Sequence, residues 1–271
     1  MRCIDTHSHF NLSQFDKDRE DAIARMIADD VGTFCVGVDE ETSAKAVELA
    51  EKYEAIWAIV GQHPTEWFKE FNLDAFISLA AQPKVVAIGE CGLDYYRDRE
   101  RDHKEEQKKL FRLQIELAIQ TKLPLMLHIR PWSRQGLDHG SYDAYEDAIE
   151  ILKEYKATNP ELTGTAHFFA GDQRIAQEFL DLGFYISFSG IITIFPEYED
   201  VVRFVPLDRI LPETDAPFAA PLPWRGKRCE PHYVKEVIKQ IAALKKLPLE
   251  QVEKQLLENI DRLFYKKRSV V

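Results

Sequence analysis

An alternation limits most strongly what this chain can fold into. Eight short aliphatic or β-branched runs are separated by longer stretches of helical period. The runs are Cys3-Ile4-Asp5, Thr33 to Val38, Ile56 to Val60, Val85 to Gly89, Leu125 to Ile129, Thr163 to Phe168, Tyr185 to Phe188 and Ile210-Leu211. They are nearly continuous in apolar character and bounded by turn residues, as strands buried on both faces are. Between them, Asp18 to Asp30, Thr42 to Tyr53, Glu105 to Thr121, Tyr142 to Tyr155, Asp172 to Leu182, Pro231 to Lys245 and Leu249 to Asn259 repeat apolar residues on one face. Asn72 and Asp172 stand where helix N-caps belong. Eight such alternations in 271 residues suit a (β/α)8 TIM barrel, typically ~250 residues. The rival, an open doubly wound sheet, needs a glycine-rich phosphate turn after its first strand. Here that strand runs into Asp5-Thr6-His7-Ser8-His9. There is no linker-like stretch, repeat or low-complexity segment, so the expectation is an α/β chain forming a single domain over residues 1–271. The most irregular stretch, Pro131 to Gly140, is a candidate lid.

The composition, 45% hydrophobic and 30% charged, is that of a globular chain. No apolar run approaches the ~20 residues of a membrane helix. The N-terminus turns polar at once, without the apolar core of a signal peptide. Cys3, Cys35, Cys91 and Cys229 are far apart and form no C-x-x-C pair. Neither a zinc ribbon nor a disulfide framework is indicated, and the expectation is reduced buried thiols in a cytoplasmic protein. The net charge of −11 argues against broad binding to nucleic acid or anionic membrane. It leaves room for a local basic or metal-filled phosphate site.

Metal-binding side chains stand at the C-terminal ends of the strand signals. His7 and His9 follow the first, His63 the third, Glu90 the fourth and Asp215 the eighth; His128 ends the fifth and His167 the sixth. In a barrel these ends converge on the face where active sites are built. Residues 7 and 9 share one side of an extended strand. Four histidines and two carboxylates buried together without partners would cost several kcal/mol, and divalent metal satisfies such a set. Six ligands exceed what one tetrahedral ion with an open position needs. They suit two ions bridged by Glu90, a pairing that clamps the oxygens of a displaced phosphoryl group.

The motifs that carry these residues resemble the TatD family of metal-dependent deoxyribonucleases, within the amidohydrolase-type barrels. They are Asp5-Thr6-His7-Ser8-His9-Phe10, Gly61-Gln62-His63-Pro64, Ile88 to Tyr96, Leu127-His128-Ile129-Arg130, Ser189-Gly190-Ile191, Glu213 to Phe218, Arg225-Gly226-Lys227-Arg228 and Asn259 to Phe264. The resemblance spans nearly the whole chain. It implies a cytoplasmic phosphodiesterase acting on DNA, with metal ligands His7, His9, Glu90, His128, His167 and Asp215. It also implies degradation of single-stranded DNA from the 3′ end. Three departures surround the ligands. His167 is followed by Phe168-Phe169-Ala170 where the family has Cys-Phe-Ser, Cys229 replaces an Asn, and Pro131 to Gly140 resembles an insertion. They bear on substrate choice more than on metal chemistry.

On this reading two divalent ions (zinc, manganese, magnesium or iron) activate water, and Asp215 accepts its proton. The alternatives are hydrolysis of an ester, lactone or amide on the same site, including deacylation of aminoacyl-RNA, and a non-enzymatic metal scaffold. Arg130 either holds a phosphate or makes a surface salt bridge. Arg225, Lys227 and Arg228 form either a local positive patch or a solvated loop. His63 is a phosphate-contacting donor or a turn cap. Asp94, Tyr95 and Tyr96 line the cleft or edge the core. His103, His139 and His232 are expected at the surface, and Lys266-Lys267-Arg268 closes a helix. DNA ends are the expected partner, with no membrane and no obligate protein partner.

Overall fold

A computed structural model describes residues 1–98, 102–132 and 142–265. The alternation folds into one sheet of eight parallel strands whose order in space is their order in sequence. These are β1 (Cys3–Ser8), β2 (Val31–Val36), β3 (Ile56–Val60), β4 (Val85–Asp94), β5 (Leu125–Arg130), β6 (Gly164–Ala166), β7 (Tyr185–Phe188) and β8 (Ile210–Pro212). The helices are α1 (Arg19–Ala28), α2 (Glu40–Lys52), α3 (Leu73–Ala80), α4 (Lys104–Thr121), α5 (Asp143–Lys156), α6 (Gln173–Asp181), α7 (Glu199–Phe204), α8 (Val234–Lys245) and α9 (Leu249–Ile260). This is the expected (β/α)8 TIM barrel. Asn72 and Asp172 cap α3 and α6 by accepting from the Ala75 and Ile175 amides. Helix α3 was signalled only by its cap, Asn72, and α7 was not expected. At eight and six residues, they are shorter than the 11–18-residue window over which helical period can be read. Pro231 to Tyr233 is a 3₁₀ turn ahead of α8, not its first turn.

Every residue of β1, β2, β4 and β7 is buried, because one strand face lines the barrel and the other meets the helices. Ile4, Phe34, Val36, Ile59, Val86, Met126, Tyr185 and Leu211 form an interior cluster with Ile260, Leu263 and Phe264 of the C-terminal segment. The Phe264 ring lies edge-on to Phe34, with centres 4.8 Å apart. Asn259, fully buried, donates to the Leu207 and Ile210 carbonyls at 2.8 Å each and seats this plug.

Between β8 and β1 the sheet closes through the chain just beyond β8. The Asp215 amide donates to His7 O at 2.9 Å, and the His9 amide donates to Ala216 O at 2.7 Å. The buried Asp5 carboxylate accepts from the Thr214 amide at 2.8 Å and its hydroxyl at 2.6 Å.

All four cysteines are free and buried. His103 and His232, expected at the surface, are half-buried. His103 stacks on Trp67 and contacts Asp98, while His232 lies 3.6 Å from Glu230. Most of the candidate lid (133–140), with His139, and the Lys266-Lys267-Arg268 run lie outside the described residues. No described helix is long and apolar enough to cross a membrane.

Since Phe264 fills the barrel from below and Phe34 packs on it, Phe264→Ala should cost about 3–5 kcal/mol of stability. Chemical denaturation would measure this. Metal uptake per folded molecule, read by elemental analysis, should be unchanged, because the strand ends bearing the histidines are at the other end.

Candidate metal centre

The six residues singled out from the sequence come together at the C-terminal mouth of the barrel. His7 lies inside β1 and Glu90 inside β4, rather than beyond their ends. Both strands have an irregular register at these residues, between Asp5 and Ser8 and between Ile88 and Cys91. Such irregularities re-aim a side chain that regular pleating would send elsewhere. Gly92 lets β4 approach β5: its φ is 137°, and a Cβ there would come within 2.1 Å of His128 O. Glu90 and His128 are thereby held side by side.

Glu90 has two faces. Its Oε2 lies 3.6 Å from His7 Nε2 and 3.7 Å from His9 Nε2. Its Oε1 lies 2.6 Å from His128 Nδ1, 3.1 Å from His167 Nε2 and 3.8 Å from His63 Nε2. Asp215 Oδ1 completes the first side, 3.4 Å from His9 Nε2 and 3.7 Å from His7 Nε2. Three overlapping groups have the spacing of ion ligands: His7, His9 and Glu90; His7, His167 and Asp215; and His63, Glu90 and His128.

Neighbouring acceptors fix the rings. His9 Nδ1 donates to Val36 O at 2.9 Å, which turns Nε2 toward the centre. His167 Nδ1 faces Glu213 Oε1 at 3.1 Å, and its Nε2 likewise points inward. His128 Nε2 is held by Asp94 Oδ2 at 3.0 Å, so Nδ1 faces Glu90. Carboxylate or carbonyl partners on the outer nitrogen are what metal-binding histidines use to set tautomer and orientation. His7 stacks on His167 with centres 3.7 Å apart, and its buried Nδ1 lacks a hydrogen-bond partner among the described residues. Its polar anchoring therefore comes from the cluster, through Nε2. The donor set fits divalent metal.

His63 differs. Its Nδ1 accepts from the Thr65 amide at 3.1 Å, capping a short turn. The ring proton then sits on Nε2 and points toward Glu90, so His63 is both a turn cap and an inward donor.

Charge at the centre is shared by proton. Burial pushes the Glu90 carboxyl up, but His167, His63 and His128 outweigh it and hold it well below the carboxylate range. Burial lowers His167, yet Glu213 and Glu90 raise it well above the ordinary imidazole. His128 is raised by Asp94 and Glu90, and His9 by Asp215 and Glu90, each against burial. Burial and His167 lower His7. Burial and His128 take His63 down to about 3. Asp215 is held low, against burial, by His9 and His167.

Of the expected substrate contacts, His63 joins the cluster. Half-buried Arg130 lays its guanidinium over the Tyr96 ring, 3.9 Å from its centre. Arg225 and Lys227 are exposed, lying against Phe195 and Trp224. Arg228 does not belong to that patch: it is bound to both Asp18 carboxylate oxygens at 2.6 and 2.7 Å and to Glu230 at 3.2 Å. Tyr95 is core, its hydroxyl donating to Asp147 at 2.6 Å, whereas Tyr96 is exposed. The orienting roles of Asp5, Asp94 and Glu213 escaped the sequence reading. Their nearness in sequence to the singled-out residues was the available signal: Glu213 is two residues from Asp215, and Asp94 four from Glu90.

Comparison with known proteins finds relatives along nearly the whole chain. Residues 4–265 match the family model described as TatD related DNase. The uncharacterized metal-dependent hydrolase YabD of Bacillus subtilis is 42% identical over 266 residues, covering 96% of this chain and 98% of that protein. The 3'-5' ssDNA/RNA exonuclease TatD of Salmonella typhimurium is 33% identical over 250 residues, covering 88% and 90%. The crystal structure of YJJV, a TatD homolog from Escherichia coli, superposes with a TM-score of 0.85 at 29% identity, covering 97% and 98% of the two chains. The chain belongs to the TatD family of metal-dependent hydrolases.

Proposed function

We propose that this protein is a cytoplasmic two-metal phosphodiester hydrolase that trims single-stranded DNA from its 3′ end. The observation that carries this reading is the two-sided Glu90. One oxygen faces the His7–His9 pair and the other faces His128 and His167. A carboxylate so placed can serve two ions, with Asp215 on the first side. Zinc, manganese, iron and magnesium all suit such ligands. Two bound divalent ions supply the charge that clamps attacking and leaving oxygens and make a water more acidic. Asp215, ionised at neutral pH, accepts the proton of the attacking water. His63 donates its Nε2 proton to a phosphate oxygen, and Arg130, Arg225 and Lys227 meet the phosphates outside the cluster. The Salmonella relative named as a 3'-5' ssDNA/RNA exonuclease supports the substrate class. The four free, buried thiols suit a reducing compartment.

Glu90→Gln removes the anion that two cations share. Turnover should fall by at least about a hundredfold, the upper end of what losing an outer-shell partner costs, with the thermal transition retained. A variant that binds two ions and keeps wild-type turnover would refute the bridge.

The pH response follows from the raised histidines. His9, His128 and His167 hold protons above the ordinary value of about 6.5, and those protons must leave before metal binds. Metal affinity should therefore begin to fall while the pH is still above that value and go on falling as the pH drops. The acid limb of activity should move to lower pH as metal concentration rises. Calorimetry in two buffers of different ionisation enthalpy should show proton release on loading at neutral pH. An acid midpoint indifferent to metal would count against these ligands.

A chain of net charge −11 repels a long polyanion except where its field is locally reversed. A recessed mouth admits a flexible strand end more readily than the middle of a rigid duplex. The salt dependence of binding should be that of about 2–3 phosphate contacts rather than about 8. A linear oligonucleotide should be degraded and its covalently closed circle spared. Equal cleavage of the two would show that no end is required.

A further inference from the structure

Five aromatic side chains are exposed among the described residues, and four ride on loops at the mouth: Phe68 after β3, Tyr96 after β4, Phe195 after β7 and Phe218 after β8. Three of them have a cationic side chain against the ring. Lys69 Nζ lies 6.0 Å from the centre of Phe68, the Arg130 guanidinium 3.9 Å from Tyr96, and that of Arg225 5.7 Å from Phe195. Phe218, 46% exposed, meets His9 edge-on with centres 6.2 Å apart. The loops carrying Phe195 and Phe218 form one wall: the Leu222 amide donates to Thr193 Oγ1 at 2.9 Å, and a Cβ on Gly190 would come within 2.3 Å of Ala219 O. The root of the second loop is fixed by the ion pairs of Arg228 with Asp18 and Glu230. Keeping large rings in water is unfavourable, and a rigid wall that does so beside cations matches the chemistry of a stacked base with its phosphate.

We infer that these rings are a base-stacking platform for an unpaired strand, with Phe218 holding the base next to the phosphate that is cut. The inference rests on the nuclease reading above and names what makes the site select single strands. His9 reaches both Glu90 and Asp215 within 3.7 Å, so a base on the Phe218 ring lies about one nucleotide from the reacting phosphate. Phe195 with Arg225 takes a base and a phosphate farther out on the same wall. Every base has a π-face, so such a platform is indifferent to sequence. Bases paired inside a duplex are already stacked and offer no free face.

The test is an abasic scan of a labelled oligonucleotide with the metal-loaded protein. A single abasic nucleotide is moved stepwise inward from the 3′ end, and KM and kcat are measured for wild type, Phe218→Ala and Phe218→Trp. One position next to the cut should raise the wild-type KM about ten- to hundredfold, the range of one base–aromatic stack. Phe218→Ala should show that high KM on the intact strand and no further penalty at that position, and Phe218→Trp should restore the penalty. Phe204→Ala, changing the fifth exposed ring at the end of α7, should match wild type throughout. If the abasic penalty is the same with and without the Phe218 ring, the platform is wrong while strand cleavage by wild type upholds the nuclease reading. If wild type cleaves no oligonucleotide at all, both fall.

Discussion

The buried Asp5 carboxylate joins the last strand of the barrel to the first. β8 has only three residues and forms no ladder with β1, so closure passes to the residues beyond it. Asp5 accepts from the Thr214 amide and hydroxyl and from the His7 amide, and so fixes the segment whose next residues bond to His7 and His9. Burial pushes its carboxyl well above the ordinary range, and these donors oppose that rise. The stretch it aligns contains His7, His9 and Asp215, so the contacts that close the barrel also position one side of the candidate metal centre. Asp215 sits at φ 65°, a left-handed conformation costing about 1–2 kcal/mol in a residue with a Cβ. The bonds of its amide to His7 O and of its carbonyl to the Phe218 amide offset that cost. They also set Phe218 at the rim, beside His9.

Much of this was legible in the sequence. Strands buried on both faces leave continuous apolar runs, and all eight are present within a few residues of where those runs fall. Barrel topology then brings their C-terminal ends together, so a histidine or carboxylate there needs no long-range information to be placed. The illegible part depends on pairing across the chain. Arg228 looked like part of a basic loop, but its partner Asp18 is 210 positions away, and no local pattern announces that pairing. Glu213 holding His167 across 46 positions is the same case. The exposed aromatics were hidden for another reason: a phenylalanine in sequence reads as core, and only the fold shows which rings the loops leave outside.

The candidate metal centre gathers carboxylates and imidazoles that hold one another in place. Glu90, Asp94 and Glu213 are buried and Asp215 is half-buried beside them, a severe cost for carboxylates left unpaired. The histidines around them oppose that cost, and His9, His128 and His167 are each raised, against burial, by the carboxylates they face. The barrel core is a separate apolar cluster plugged by Phe264 at the other end. Protons and a divalent cation would compete for the same lone pairs. In a structural metal site the ion holds the fold and the ligands close around it. Here the fold already holds the ligands, through Val36 O, Asp94 and Glu213 on the outer nitrogens of His9, His128 and His167. Ligands fixed in advance by their own scaffold are what a reacting centre needs, because bound ions can then exchange water for substrate without the protein rearranging.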